Sequence, residues 1–276
     1  MKKKINKIIE SNEICSSILN GVYLNHYHIM IDVVPRILAL RKLVKKNNFK
    51  VDLYITKDFD KYYDIFLRFI DKRITIKIVN RNDIVFSKKF LVLPYLSSNT
   101  NGYLPYKYIK YINNSLYKAN TKKIINKKNI QNEKIYISRR LAKKRKLLNE
   151  RKFINFLKKK KFRIVYLEEQ SILEQYKIFE NAKIVISVHG AGLTNIIFSK
   201  PKTKIIEIIP TNNKLLFHYR FLSSACFHEY NSFTSSAKDK NDNFKDKTVI
   251  CKAMLNLDFK LKYNSPYNYP ELLLDD

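Results

Sequence analysis

Apolar residues recur every three or four positions from Tyr27 to Val44, where Ile31, Val34, Ile37, Leu38 and Leu40 predict one face of a helix. Pro35 inside that run either kinks the helix or marks its first turn. The pattern then shortens to a strand at VDLYIT (Val51 to Thr56), a helix at Tyr62 to Ile70, an alternating strand at Arg73 to Val79 and a buried strand at Phe90 to Pro94. An aromatic-rich stretch from Tyr103 to Tyr117 reads as loop, then helix. After the polar run from Asn120 to Lys134, read as a linker, the alternation is cleaner. Strands are predicted at Ile135 to Ser138, Phe162 to Leu167, Lys183 to Ser187 and Thr203 to Pro210. Helices are predicted at Asn149 to Lys160 and at Ser171 to Ala182, the latter with Ser171 and Glu174 as a capping box, and a short one at LTNIIF. Strand and helix alternation of this kind predicts an α/β protein whose second half is a doubly wound parallel sheet. The tail from Asn231 to Lys247 is polar and reads as a loop.

Composition narrows the partners. Lys and Arg total 54 against 24 Asp and Glu, a formal charge of +30, so long-range attraction favours anions: phosphate, nucleic acid, acidic glycan or acidic lipid. The excess is uneven, with Lys and Arg outnumbering acids 18 to 2 from Thr121 to Arg163. Only 4 glycines occur, which excludes glycine-rich linkers and places each glycine where a close approach or a tight turn needs it. Cys15, Cys226 and Cys251 form no CxxC pair, arguing against a zinc ribbon or a disulfide framework and for a reducing cytoplasm. The apolar stretches are too short to span a bilayer and the Lys-rich start lacks the apolar core of a signal peptide. A cytoplasmic protein is therefore expected, with peripheral contact between its basic surface and an anionic inner membrane.

Three constellations carry candidate chemistry. Gly190 and Gly192 stand in VISVHGAGLTN directly after a strand and before a helix, where backbone N–H groups approach a diphosphate; His189, Ala191 and Asn195 share that turn. A tight structural turn with a satisfied imidazole is the alternative. In ISRRLAKKRKLLNE, Ser138, Arg139 and Arg140 leave a strand on the same sheet edge, and Arg145, Asn149 and Glu150 lead into a helix; arginine suits bidentate phosphate recognition. In NHYHIMID, His28 and Asp32 lie four apart on one helical face, letting a carboxylate orient an imidazole, with Asn25 and His26 beside them. The acids of DFD (Asp58 to Asp60) fit either a divalent-ion pair or the start of a helix, and the second is preferred.

Together these motifs resemble glycosyltransferase family 61. The resemblance rests on Asn25-His26-Tyr27-His28, Asp32 and Pro35-Arg36, on Ser138-Arg139, Arg145 and Asn149-Glu150, on His189 to Asn195, and on Glu207 with Pro210, in that order. It implies a GT-B-like arrangement of two Rossmann-like domains with parallel sheets flanked by helices. An acceptor-side domain would occupy residues 1–120 and a nucleotide-sugar-binding domain residues 121–276. It implies an inverting enzyme of capsular-polysaccharide or lipopolysaccharide synthesis, with a nucleotide-sugar co-substrate, frequently a UDP-sugar, a glycan or lipid-linked acceptor, and no bound metal or other cofactor. Arg139, Arg145, Asn149, Glu150, the His189 to Gly192 turn and Asn195 would bind the donor, and Glu207 would accept ribose hydroxyls. His28 or Asp32 would be the base, with His26 and His189 behind them. Glycosyl transfer builds negative charge on the leaving diphosphate, and these donors would meet it. At 276 residues the chain is short for the family and its first domain is reduced, which leaves the acceptor open. Two rival readings are a basic nucleic-acid binder and a non-catalytic glycan-binding relative. No helix-turn-helix, RNA-recognition or zinc pattern supports the former.

Overall fold

A computed structural model describes residues 5–18, 25–94, 104–121, 133–148, 150–211 and 217–236. In the first half, β2 (Cys15–Ser17), β3 (Val51–Thr56), β4 (Ile74–Val79) and β6 (Phe90–Leu91) form a sheet of order β4-β3-β2-β6, every pair parallel. Helices α1 (His26–His28), α2 (Val34–Asn47), α3 (Tyr63–Phe69) and α4 (Tyr106–Thr121) accompany it. A separate parallel pair joins β1 (Lys7–Ser11) to β5 (Asp83–Ser87).

Pro35 lies in the first turn of α2, and a π-helical turn, Ile29–Val33, joins α1 to α2 in one helical path. Proline has no N–H to give the carbonyl four residues back, and a wider turn just before it accommodates that loss. Asn48 ends α2 in the left-handed conformation. The buried strand expected at Phe90 to Pro94 is shorter and more open. Phe90–Leu91 pair with β2 at the sheet edge, Val92 is 75% exposed, and one flanking strand is too little to cover them.

The second half contains β7 (Glu133–Ile137), α5 (Glu150–Lys159), β8 (Arg163–Val165), α6 (Ile172–Glu180), β9 (Ala182–Val188), β10 (Lys204–Thr211), α7 (His218–Ala225) and β11 (Glu229–Ser236). The sheet order is β11-β10-β9-β7-β8, again parallel throughout. The expected capping box is present: Ser171 N–H donates to Glu174 Oε2 at 2.8 Å, and Glu174 N–H to Ser171 Oγ at 3.3 Å. LTNIIF belongs to a 3-10 helix, Ala191–Phe198, whose residues from Leu193 onward are buried. Residues 231–236, expected in a loop, extend β11 as an edge strand paired in parallel with residues 206–211 of β10, a partner that local polarity does not reveal. Residues 237–247 and most of the linker lie outside the described residues.

Two Rossmann-like parallel sheets flanked by helices are thus observed, as the sequence predicts. One continuous hydrophobic core joins the halves, bringing Met30, Ile37, Phe66 and Leu116 together with Ile135, Val185, Ile197 and Leu222. No described helix is long and apolar enough to cross a membrane.

Candidate functional site

Strand β7 leads to β8 on one side and β9 leads to β10 on the other, so β7 and β9 flank the point where the winding of the second sheet reverses. Ligands of such sheets bind beyond the carboxyl ends of those two strands. There β7 runs into Ser138 and Arg139, and β9 into His189 and Gly190. A cavity of about 460 Å³ occupies the place, lined by Ser138, Arg139, Ala191, Gly192 and Gln175 of the second half and by His26 and Tyr62 of the first.

Two glycines shape its wall. A Cβ on Gly190 would sit 2.0 Å from Arg139 Nη1 and 2.7 Å from Cζ, so the guanidinium lies directly on the glycine. The Gly190 φ of 164° is extended backbone, and the close approach alone requires glycine. A Cβ on Gly192 would meet Leu167 Cδ1 at 2.7 Å. Arg139 Nη2 donates to the Lys144 carbonyl at 3.1 Å, while its buried Nε has no partner. Burial, then the nearby Arg145, pushes the Arg139 guanidinium below its ordinary value, so an anion placed here would relieve the cost of the charge.

Glu150 stands behind this turn. Its Oε1 accepts from Tyr136 Oη at 2.7 Å, Ser138 Oγ at 2.9 Å and Arg139 N–H at 3.4 Å. Although expected among donor contacts, Glu150 is buried and holds the Ser138–Arg139 turn without lining the cavity. Asn149 lies outside the described residues.

A hydrogen-bonded chain crosses between the halves. Gln175 Nε2 donates to the carbonyls of Leu167 and Gln170 at 2.9 and 3.0 Å, which turns its Oε1 towards Asn195 Nδ2 at 2.7 Å. Asn195 Oδ1 must then accept from His26 Nε2–H, 2.6 Å away. In the neutral ring, His26 Nδ1 accepts from Tyr62 Oη–H at 3.1 Å. Both ring nitrogens are committed, so His26, expected among the candidate bases, joins the halves and offers no free lone pair. Asn195 is fully buried and acts in this chain, not at the cavity wall.

Three histidines gather beside Arg145. Asn25 Oδ1 caps α1 by accepting from Tyr27 N–H at 3.0 Å, and the helical path then stacks His28 on Asp32, with Nδ1–H donating to Oδ2 at 2.6 Å. Arg36 secures that helix by donating to the carbonyls of Asp32 and Ile18 at 3.0 and 3.1 Å. Asp32 is buried whereas the His28 side chain keeps 27% of its surface exposed, leaving Nε2 as the accessible lone pair of the dyad. A second dyad joins His189 Nδ1 to Glu207 Oε1, and Tyr230 Oη donates to Glu207 Oε2 at 2.5 Å. Glu207, expected to accept ribose hydroxyls, is 0% exposed with both oxygens taken, and it orients His189 instead. His218, at the start of α7, sits between the dyads, its ring 6.5 Å from His189 and 5.5 Å from Tyr27. Burial, then the charges of His189 and His28 with Arg145, lowers its pKa, while Glu207 opposes them.

The sequence assigns no role to Tyr62 or Gln175 and leaves that of His218 undecided. Gln175 had a usable signal, a polar residue on the buried face of an apolar helix. Asp58 pairs with Arg81 Nε at 2.5 Å, in the first turn of the 3-10 helix Lys57–Tyr62, which fits the helix-start reading of DFD. Among the described residues no group of three or more His, Cys, Asp or Glu is placed to hold a metal ion.

The Glycosyltransferase 61 family model matches residues 26–206, from His26 on α1 to Ile206 on β10, so it spans every motif of this site except Asn25, Glu207 and Pro210. The chain belongs to glycosyltransferase family 61. It is a glycosyltransferase, and the crevice just described lies within the part of the chain that defines the family. No curated protein matches it. Among solved structures it is similar to the E. coli heptosyltransferase WaaC with ADP, at 9% identity and a TM-score of 0.45, over 92% of this chain and 97% of that one.

Proposed function

We propose that this family-61 glycosyltransferase moves a sugar from a nucleotide-sugar, a UDP-sugar in the first instance, to a glycan or lipid-linked acceptor of a surface polysaccharide, with inversion and without a bound metal. The observation that carries this is the Arg139 guanidinium lying on Gly190 at the mouth of β7 and β9. In this reading residues 121–276 hold the donor and residues 1–120 face the acceptor. The nucleotide occupies the cavity between β7, β9 and α6. Its diphosphate meets Arg139, Arg145 and the N–H groups that open the 3-10 helix at Ala191 and Gly192.

The acceptor hydroxyl approaches from the first half. His28 Nε2 takes its proton, with Asp32 holding the opposite Nδ1–H and stabilising the imidazolium. The acceptor oxygen bonds to the anomeric carbon as the bond to the phosphate oxygen breaks, and the nucleoside diphosphate leaves with that electron pair. Its charge falls on Arg139 and Arg145. His189 is too enclosed to serve a bulky acceptor, and its dyad supports the turn that carries Gly190. The basic surface suits an anionic membrane on the cytoplasmic side, where lipid-linked acceptors are assembled.

A panel of nucleotide-sugars, read by release of nucleoside diphosphate, tests the reading. Turnover with at least one donor is expected, lost in Arg139→Ala and His28→Ala while both variants keep their melting transition. No turnover with any donor, together with no thermal shift from any nucleoside diphosphate, would overturn it.

A further inference from the structure

A second concavity shares no lining residue with the donor crevice. It is a groove of about 650 Å³ between the 140–148 turn and α5, bordered by Arg140, Lys146, Arg151 and Lys158, with Leu148 and Ile154 between them. Its one acid is Glu150, which is buried and already accepts hydrogen bonds from Tyr136, Ser138 and Arg139. Among the described residues none of Arg140, Arg151 and Lys158 has an ion-pair partner, and all three are exposed. The same turn exposes two large apolar side chains, Leu141 at 51% and Leu148 at 45%, while the intervening Leu147 is buried with Phe153.

Scattered surface leucines are ordinary. Two on one short turn, beside the unpaired Arg140, Arg151 and Lys158 of the groove, form an amphipathic surface. A phospholipid bilayer presents the matching chemistry, phosphates outermost and hydrocarbon beneath. Single-stranded nucleic acid would instead want exposed aromatic faces among the cations, and the aromatic ring of this groove, Tyr166, is half-buried.

We propose that this groove and the 140–148 turn are the docking surface for an anionic phospholipid membrane, the cations receiving lipid phosphates and Leu148 entering the apolar boundary. The proposal rests on the reading that the chain works at a membrane, and it is independent of how the donor binds. Docking here fixes the crevice relative to the bilayer, because Ser138 and Arg139 begin the turn that would touch it.

Flotation with vesicles of phosphatidylcholine, alone or mixed with phosphatidylglycerol, tests it at low salt. The native chain should float with the anionic vesicles only. The triple variant R140E/R151E/K158E should lose at least about 100-fold in apparent affinity, whereas K42E/K46E/K72E, an equal charge change on the first half, should lose only a few-fold. Since the chain contains no tryptophan, Leu148→Trp provides a lone probe. Its emission should shift to the blue and be quenched by brominated lipid, and that of Val92→Trp should do neither. Equal losses in the two triple variants, or an unchanged Leu148→Trp emission on bound vesicles, would overturn the proposal. So would a single-stranded oligonucleotide that outcompetes anionic vesicles for the native chain. A thermal shift with UDP, retained in R140E/R151E/K158E, reports on the donor crevice separately, so failure of either reading is seen without the other.

Discussion

Gly190→Ala is the substitution whose consequence follows most directly from geometry. The new methyl group would lie 2.0 Å from Arg139 Nη1, where ordinary contact begins near 3.4 Å, so the guanidinium must retreat by about 1.4 Å. What moves is the end of a flexible side chain, so the cost in stability should be small, about 1 kcal/mol. The cost in activity should be large. A displacement beyond about 1 Å takes a charged donor off the position where the leaving diphosphate develops its charge, and loss of one such donor costs about 2.7 to 4 kcal/mol, on the order of 100- to 1000-fold in kcat. The assay is nucleoside diphosphate release by Gly190→Ala, Arg139→Ala and the double variant, with melting curves for each. If Gly190 matters only because it makes room for Arg139, then adding Gly190→Ala to Arg139→Ala should cost almost nothing further, and the coupling energy should equal the effect of Gly190→Ala alone. Additive losses would refute this, and would place the role of Gly190 in its own backbone N–H or in the 3-10 helix.

Three further outcomes are expected. His28→Ala should lower kcat by about 100- to 10,000-fold, and Asp32→Asn, which removes the carboxylate charge that stabilises the imidazolium, should lower kcat with little change in KM; an undiminished kcat in His28→Ala would remove His28 as the base. Asn195→Ala strands the buried Gln175 oxygen and a His26 nitrogen, and should destabilise the fold by about 1 to 3 kcal/mol, read by urea unfolding; a neutral result would mean the chain between the halves carries no stability. His228, whose Nε2–H donates to the Ile196 carbonyl at 2.9 Å, is held by burial down to about 4, against an ordinary 6.5. The folded state therefore resists protonation that the unfolded chain accepts, so this contribution is complete above pH 6.5 and is lost as pH falls through 4, by up to about 3 kcal/mol. His228→Gln should lose less stability than the native chain between pH 7 and 4, and an identical loss would contradict the assignment.

The parallel strands of the second half were legible because each is a short apolar run set between helices of clear period: β9 is buried from Ile184 to Val188, as a strand covered on both faces must be. The strands β1, β5 and β11 were not legible. They lie at edges or in a two-stranded pair, where exposure on one side removes the hydrophobic signal, and only pairing partners distant in sequence define them. The site divides in the same way. His28 and Asp32, or Ser171 and Glu174, are local pairs fixed by helical spacing. The partnership of His26 with Asn195, 169 residues away, and of Glu207 with Tyr230 depends on tertiary contact. Sequence therefore proposes Glu207 as a ligand contact at a strand end, whereas the structure turns it inward against His189.

A crystal structure of the chain with UDP would show where the donor nucleotide binds. The diphosphate is expected within hydrogen-bonding distance of Arg139 and of the Ala191 and Gly192 N–H groups, beyond the carboxyl ends of β7 and β9, with the uridine in the cavity against α6. UDP bound anywhere else, or bound there with its phosphates turned away from Arg139, would contradict that expectation.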